Sequence, residues 1–345
     1  MICLGIESTA HTFGASIVTD KGEVLSNSRK LFTTEKGGLI PVEVSDHHVK
    51  HGPEIVKEAI KKANIDIKDI DLIAFSQSPG IGHCLRIGAS IARSLSLQLK
   101  IPLMGVNHCI AHLEIGRLKA KSLEITEQNE RKIEENSSCS DPVLLYASGA
   151  NTQIIAYEGK RYRIFGETLD LGIGNFLDTI GRKLNLGFPG GPKMELLARK
   201  GTKLLDLPYN VKGMDVNFAG MQTKLDNLIK SGKFSQEDIC FSVQETSFAM
   251  LLEVSERAMA HTGKTELLLG GGVACNHRLQ EMAAKLCKDR GAKCYVLPNE
   301  FNVDNAAMIA WTGILQKQSG QETSMKDSKI DPYLRTDEVE VTWRK

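Results

Sequence analysis

"MICLGIESTAHTFGASIVTDKGEVLSNSRK", residues 1–30, and "PVLLYASGANTQIIAYEGKRYRIFGET", residues 142–168, share one plan. Each reads as an apolar strand, a loop of small polar residues, a second apolar strand, a Gly-containing turn and a third strand. Further along, each is followed by a strand, a Gly-rich loop, a helix and another strand. These units are "DLIAFSQSPGIGHCLRIGASIARSLSLQLKIPLMGV" (71–106) and "ELLLGGGVACNHRLQEMAAKLCKDRGAKCYVLP" (266–298). Strands alternating with helices imply mixed α/β layers joined by right-handed crossovers. Two similar halves imply a central cleft. The layout is that of an α/β protein with duplicated ribonuclease-H-like halves, the actin-like ATPase (ASKHA) fold.

Division of the chain follows from this repeat. Residues 1–117 form a first α/β half, and 142–320 a second half with a helical insertion. The stretch 118–141, "LKAKSLEITEQNERKIEENSSCSD", is charged and poor in large apolar residues, which predicts an exposed insert. Residues 321–345 read as a polar tail packing back on the core. Within the insertion, Ser235 and Asp238 open a long helix in capping-box manner and Gly263 closes it.

Bulk properties exclude several classes. At 345 residues the chain exceeds what one core usually supports. A net charge of +1 argues against nucleic-acid binding by charge alone, though not against a local patch such as Lys160–Arg163. Eight cysteines without a C-x-x-C pair read as reduced thiols of a cytosolic protein. The start lacks a basic leader region, and no apolar run is long enough for a membrane span, so a cytoplasmic protein without membrane contact is expected.

Three small-residue loops each follow a strand: Gly5–Thr9, Ser148–Asn151 and Gly270–Asn276. Such loops let backbone N–H groups approach an anion. Their equivalent placement in two halves predicts a nucleotide in the cleft. GxxxxGK[ST] and GxGxxG are both absent, which excludes a P-loop and a dinucleotide fold.

"VNHCIAHLE", residues 106–114, puts His108 and His112 one above the other on a helix, where they can share an ion or simply be half-buried core histidines. A metalloprotease would need Glu after the first His, and Cys109 stands there instead. In "FNVDNAAMIAW" (301–311), Asp304 fits either a helix cap or a ligand. Tyr146 fits either a core aromatic or a phenol aimed into the cleft.

These stretches, with "LGIESTAHTFGASIV", "GETLDLGIGNFLDTIGRKLNLGFPGGPKMELLA", "GGGVACNHRL" and "RTDEVEVTWR", resemble the universal tRNA N6-adenosine threonylcarbamoyltransferase family. The likeness is to its archaeal and eukaryotic branch, the catalytic subunit of the KEOPS complex, once called O-sialoglycoprotein endopeptidase. It covers nearly the whole chain apart from 118–141. The resemblance implies transfer of threonylcarbamoyl from threonylcarbamoyl-AMP to the exocyclic amine of the adenosine 3′ of the anticodon, in tRNAs reading codons that begin with adenine. It implies one divalent ion, iron(II) favoured and zinc the alternative, on His108, His112, Tyr146 and Asp304. It implies the adenylate, or ATP, on Tyr146, Ala147, Ser148, Gly149 and Ala150, followed by Asn151, then on Asp178, Gly191, Glu195 and Asn276. The implied partners are tRNA and KEOPS subunits, among them a separate small kinase-type ATPase and a dimerising subunit. Glu7 and His11 are candidate proton acceptors; Glu7 alternatively shapes its own loop. Three departures stand out: Ala150 replaces a Gly of the family's Ser-Gly-Gly-Asn, Ile40-Pro41-Val42 replaces His-Pro-Arg, and Ala219 replaces Ser. The rival readings are an actin-like ATPase or sugar kinase, and a disfavoured metal-dependent peptidase.

Overall fold

In the first half, apolar residues alternate between two destinations. Strand β1 (Ile2–Glu7) pairs antiparallel with β2 (Thr12–Thr19), and β2 with β3 (Val24–Leu31). After helix α1 (Pro41–Ala63), strand β4 (Leu72–Ser78) joins β1 in parallel. Helix α2 (Gly82–Leu99) leads to β5 (Leu103–Asn107), which joins β4 in parallel. The sheet order is β3-β2-β1-β4-β5. On one face Leu4, Ile6, Phe13 and Phe75 pack against Ile55, Val56 and Ala89 of α1 and α2. On the other, Cys3, Val18, Ala74 and Val106 face the second half. This computed structural model describes residues 1–34, 40–126, 130–134, 137 and 139–344.

Helix α3 (His108–Lys119) follows β5 directly. Then come β6 (Lys121–Ile125) and β7 (Arg131–Glu134), β8 (Val143–Ala147), β9 (Thr152–Glu158) and β10 (Arg161–Glu167). Helices α4 (Ile173–Lys183) and α5 (Gly191–Ala198) precede a short hairpin of β11 (Val211–Lys212) and β12 (Asp215–Val216). Helices α6 (Ala219–Ser231) and α7 (Gln236–Thr262) complete the insertion. Ser235 caps α7 by accepting from Asp238 N, and Gly263 ends it at φ 68°, as the sequence indicates. Strand β13 (Glu266–Gly270), helix α8 (His277–Asp289), strand β14 (Lys293–Val296), helix α9 (Asn299–Asn302) and helix α10 (Ala306–Gln318) follow. The second sheet runs β10-β9-β8-β13-β14-β6-β7. Its first five strands repeat the order and directions of the first sheet.

The stretch 118–141 differs from the expected exposed insert. Residues 118 and 119 finish α3, and β6 pairs with the otherwise open edge of β14, burying Ser122 and Leu123. Covering an edge strand satisfies a row of backbone donors and acceptors that would otherwise face water. Residues 127–129, 135, 136 and 138 of the insert lie outside the described residues, as do 35–39 before Ile40 and Lys345 of the tail.

The two halves exchange helices. Helix α3, built after the first sheet, lies against the second: a Cβ on Gly116 would sit 2.3 Å from Leu268 Cδ2. Helix α10, built after the second sheet, lies against the first: a Cβ on Gly5 would sit 2.2 Å from the Ala306 carbonyl. Both helices are buried almost all round, α10 mainly with apolar residues and α3 with His108, His112 and Glu114 among its buried side chains, and one core joins Ala74 and Met104 to Leu144 and Leu268 through them. Among the described residues no helix is long and apolar enough to cross a membrane.

Candidate metal centre and adjoining cleft

Helix exchange brings four chain segments to one point. The N-terminus of α3 carries His108 and His112, the segment before α10 carries Asp304, β8 carries Tyr146 and the end of β1 carries Glu7. Asn107 caps α3 by accepting from the N–H groups of Cys109 and Ile110, so the histidine ring at position 108 enters the first turn in a fixed direction. Asn305, not Asp304, caps α10, accepting from Met308 N at 3.1 Å. That choice leaves the Asp304 carboxylate for the cluster.

Asp304 Oδ1 lies 3.4 Å from His108 Nε2 and 3.5 Å from His112 Nε2. The phenol oxygen of Tyr146 lies 3.1 Å from His108 Nε2. Ligand atoms of His108, His112 and Asp304 fall within 4.8 Å of one another. His112 is fully buried, and among the described residues neither of its ring nitrogens makes a hydrogen bond, although Asp304 approaches Nε2. An imidazole desolvated without partners is costly. An ion drawing on both imidazoles, the phenol and the carboxylate would remove that cost at Nε2, so these residues fit a divalent metal.

Glu7 sets the tautomer. It is fully buried; Oε1 accepts from Thr9 N at 2.6 Å and Thr9 Oγ1 at 2.5 Å. Its Oε2 accepts from His108 Nδ1 at 3.0 Å, which turns the His108 Nε2 lone pair toward Asp304 and Tyr146. With both oxygens engaged, Glu7 holds the loop and orients a histidine. Burial lowers the affinity of His108 for a proton, yet Tyr146, Glu7 and Asp304 together raise its pKa well above the ordinary value. Burial lowers that of His112, with His108 adding to the effect against Asp304. Burial pushes the Tyr146 phenol up, and the two histidines hold Asp304 well below the carboxylate range despite its burial. Glu114, the remaining acid of α3, is on another face. It is buried against Trp343 Nε1 at 2.7 Å and Arg117 at 2.8 Å, with Tyr162 also donating to it.

Beside the cluster lies the second-half loop. Ser148 N donates to Asn151 O at 3.0 Å, so an anion would meet the amides of Gly149 and Ala150. Both residues are exposed. Ala150 does not adopt positive φ, and its methyl group therefore brings no backbone strain. The start of α4 closes on the loop, with Gly174 N donating to Ser148 O and Asn175 N to Gly149 O. From α4, Asp178 Oδ1 accepts from Gly190 N at 2.7 Å. Burial raises the Asp178 pKa, against the Gly190 and Gly191 amides. A Cβ on Gly191 would meet nothing within 4 Å; Gly190 is the tightly packed member of the pair.

Glu195 Oε1 takes His277 N at 3.2 Å, His277 Nδ1 at 3.1 Å and Arg199 at 2.8 Å. Asn276 caps α8 by accepting from Arg278 N and Leu279 N, and donates to Gln244 Oε1 at 2.8 Å. Across the cleft, His11 meets Phe188 edge to face at 6.1 Å. The other departures sit away from these contacts: Ile40 and Val42 are exposed at the start of α1, and Asp170 accepts from Ala219 N at 2.6 Å. Sequence reasoning missed Thr9, Gln244 and His277, whose roles depend on neighbours distant in the chain. It also missed Asn305, although an Asn three residues before Met308 is a readable cap.

Over residues 23–311 the chain matches the family described as tRNA N6-adenosine threonylcarbamoyltransferase. Among curated proteins it is 49% identical over 343 residues to the tRNA N6-adenosine threonylcarbamoyltransferase of Thermococcus sibiricus, covering 99% of this chain and 100% of that one. It is 50% identical over 345 residues to a probable bifunctional tRNA threonylcarbamoyladenosine biosynthesis protein of Methanocaldococcus jannaschii, spanning 100% of this chain but 61% of that one. Similar solved structures include T. kodakarensis HypF, with TM-score 0.57, 15% identity, and 92% and 48% of the two chains covered. Another is the Clostridium difficile activator of 2-hydroxyisocaproyl-CoA dehydratase with bound ADPNP, at TM-score 0.54, 10% identity, and 93% and 97% coverage. These likenesses show the fold, the duplicated actin-like ATPase architecture traced above.

Proposed function

Because the chain belongs to the tRNA N6-adenosine threonylcarbamoyltransferase family, and so is a transferase that modifies tRNA, we propose a division of labour for its cleft. His108, His112, Tyr146 and Asp304 hold one divalent ion; the family resemblance favours iron(II), and mixed imidazole, phenolate and carboxylate donors suit zinc as well. The observation that carries this reading is His112, wholly buried beside Asp304 with neither nitrogen hydrogen-bonded among the described residues. When bound, such an ion supplies Lewis-acid polarisation of a carbonyl or phosphate oxygen.

The donor is threonylcarbamoyl-AMP, a mixed anhydride whose AMP is already a good leaving group. The amides of Gly149 and Ala150, with Ser148 and Asn151 fixing the turn between Ala147 and Thr152, hold its phosphate. Asp178 and Glu195 accept from ribose hydroxyls in exchange for their present partners. The open face of Gly191 admits the nucleoside, and Asn276 stands beside Glu195 to meet it. The exocyclic amine of adenosine 37 attacks the carbonyl; an N–C bond forms, the C–O bond to phosphate breaks and AMP departs. His11, at the mouth of the cleft, accepts the amine's proton. Cys109 is a buried thiol at the position where a His-Glu-x-x-His peptidase carries its general base, so the motif does not support the peptidase reading.

The chain works with KEOPS partners in the cytoplasm, among them a separate kinase-type ATPase and a dimerising subunit. One relative is named a probable bifunctional tRNA threonylcarbamoyladenosine biosynthesis protein, and this chain spans 61% of its length. The test combines the chain and its partners with tRNA, threonine, bicarbonate, ATP and the enzyme that makes the adenylate. Threonylcarbamoyladenosine is expected, and its survival in the His108→Ala, His112→Ala double variant would refute the metal assignment. ATP turnover or sugar phosphorylation without tRNA would favour a kinase instead.

A further inference from the structure

The edge hairpin β6–β7 does more than cover β14. Between it, the start of α8 and the β14–α9 link is a cavity of about 410 Å³. Lys121, Arg131, Ile133, His277, Gln280 and Asn299 line it with the Val296–Pro298 backbone, and none of its nine lining residues is acidic. Gln280 fixes the Arg131 guanidinium. Its amide donates to Ala274 O at 2.7 Å while its oxygen accepts from Arg131. Arg131 Nε, shielded from solvent, has no hydrogen-bond partner among the described residues.

Two carboxylates act on Arg131 from nearby, and each has its own cation. Glu281 pairs with Arg278 at 3.4 Å, and Glu195 with Arg199 at 2.8 Å and His277 at 3.1 Å. Desolvation outweighs their pull and lowers the Arg131 pKa. The cavity thus presents a rigid, under-compensated guanidinium beside Lys121 and the His277 ring. A guanidinium fork is suited to a tetrahedral oxyanion.

We propose that this cavity binds a backbone phosphodiester of the RNA substrate, with Arg131 as the principal contact. The inference rests on the transferase reading above, because His277 both lines the cavity and holds Glu195, the residue assigned there to the donor's ribose. An RNA strand whose adenosine enters the cleft thereby passes the hairpin. Ile133, 46% exposed on β7, offers an apolar surface for the adjoining sugar. A chain of net charge +1 needs such a local grip, since its overall field supplies little.

The experiment measures tRNA affinity of the full chain with its partners between 50 and 200 mM salt, for the unaltered protein, Arg131→Gln, Arg131→Lys and Lys230→Gln. Lys230, exposed at the end of α6, reports on charge loss elsewhere. Losing one phosphate contact should weaken binding by about three- to tenfold and lower the log–log salt slope by about one in Arg131→Gln. The KM for tRNA should rise with kcat unchanged, Arg131→Lys should fall between, and Lys230→Gln should match the unaltered chain. Equal affinity and slope in Arg131→Gln overturns the proposal, as does an equal loss in Lys230→Gln. Inorganic phosphate separates the sources: if Arg131→Gln abolishes its binding but spares tRNA, the cavity serves a free phosphoanion and the RNA assignment fails. Thermal unfolding of each variant identifies any loss caused by misfolding. An unaltered chain that binds tRNA in an Arg131-dependent way but transfers nothing would remove the transferase mechanism and leave the cavity's ligand standing.

Discussion

The loop after β1 and the loop after β8 occupy the same place in two copies of one plan, yet they have opposite characters. Glu7 ends β1 and fills its loop: Glu7, Ser8 and Thr9 are buried, and the carboxylate ties Thr9 to His108. Ala147 ends β8, leaving a loop whose Gly149 and Ala150 are exposed. A carboxylate inside a turn excludes an anion and steadies a cation; a turn without one does the reverse. On the proposed assignments, one difference between the repeated units thus separates the ion's side of the cleft from the phosphate's side.

The largest effect expected from breaking this contrast is at the ligands. His108→Ala with His112→Ala should abolish stoichiometric divalent metal, read by elemental analysis of anaerobically purified protein. It should lower transfer by on the order of 10²–10³-fold, the loss of several kcal/mol of charge stabilisation. Nucleotide affinity should change far less, because the second loop is untouched.

Acid should next loosen the first loop alone. His48 is fully buried in α1, and its Nε2–H donates to the Ala10 carbonyl at 2.9 Å. Burial, chiefly, pushes its pKa down to about 4, with His47 and His11 adding to it and Ala10 opposing. Between that value and 6.5, the unfolded chain binds a proton that the folded chain refuses. The contribution is therefore complete above pH 6.5 and is lost as pH falls toward 4, roughly 3 kcal/mol in all. Denaturant unfolding at pH 7 and pH 4.5 should show this slope in the unaltered protein and lack it in His48→Gln.

A smaller change is expected from Glu7→Gln, which preserves shape but removes charge. Metal affinity should fall by about 10–100-fold, as for other residues that orient a ligating histidine. ATP affinity, measured calorimetrically, should stay within error. The mildest test gives the second loop what the first one has: Ala150→Asp should raise the donor's KM by about tenfold through repulsion of phosphate, a single unfavourable charge at close range. Its metal content should be unaltered; a drop there would mean that the two loops are not separable.

Reading of the sequence reached as far as local pattern allows. The repeat, the histidine pair and the caps at Ser235 and Gly263 were legible because each is set by residues close in the chain. The hairpin at 121–134 was not, since only Ser122 and Leu123 of its strands are buried and its charged faces look like solvated loop. Nor could the sequence show that α3 and α10 cross between halves. Helix α10, apolar almost all round, states that it is buried but not which sheet buries it, and α3 with its histidines and Glu114 states still less. For the same reason, nothing short of the fold could join Glu7 to His108 across 101 residues, whereas the Asn305 cap that leaves Asp304 free was readable nearby in the chain.

Helix exchange also orders events on the ribosome. About 190 residues separate His112 from Asp304, so at ordinary synthesis speeds the imidazoles emerge roughly 10–40 s before their carboxylate. In that interval the nascent first sheet has one face uncovered, because the helix that seals it has yet to be translated. On the proposed ligand set, an ion would therefore gain its carboxylate only after the polypeptide had committed to its final topology.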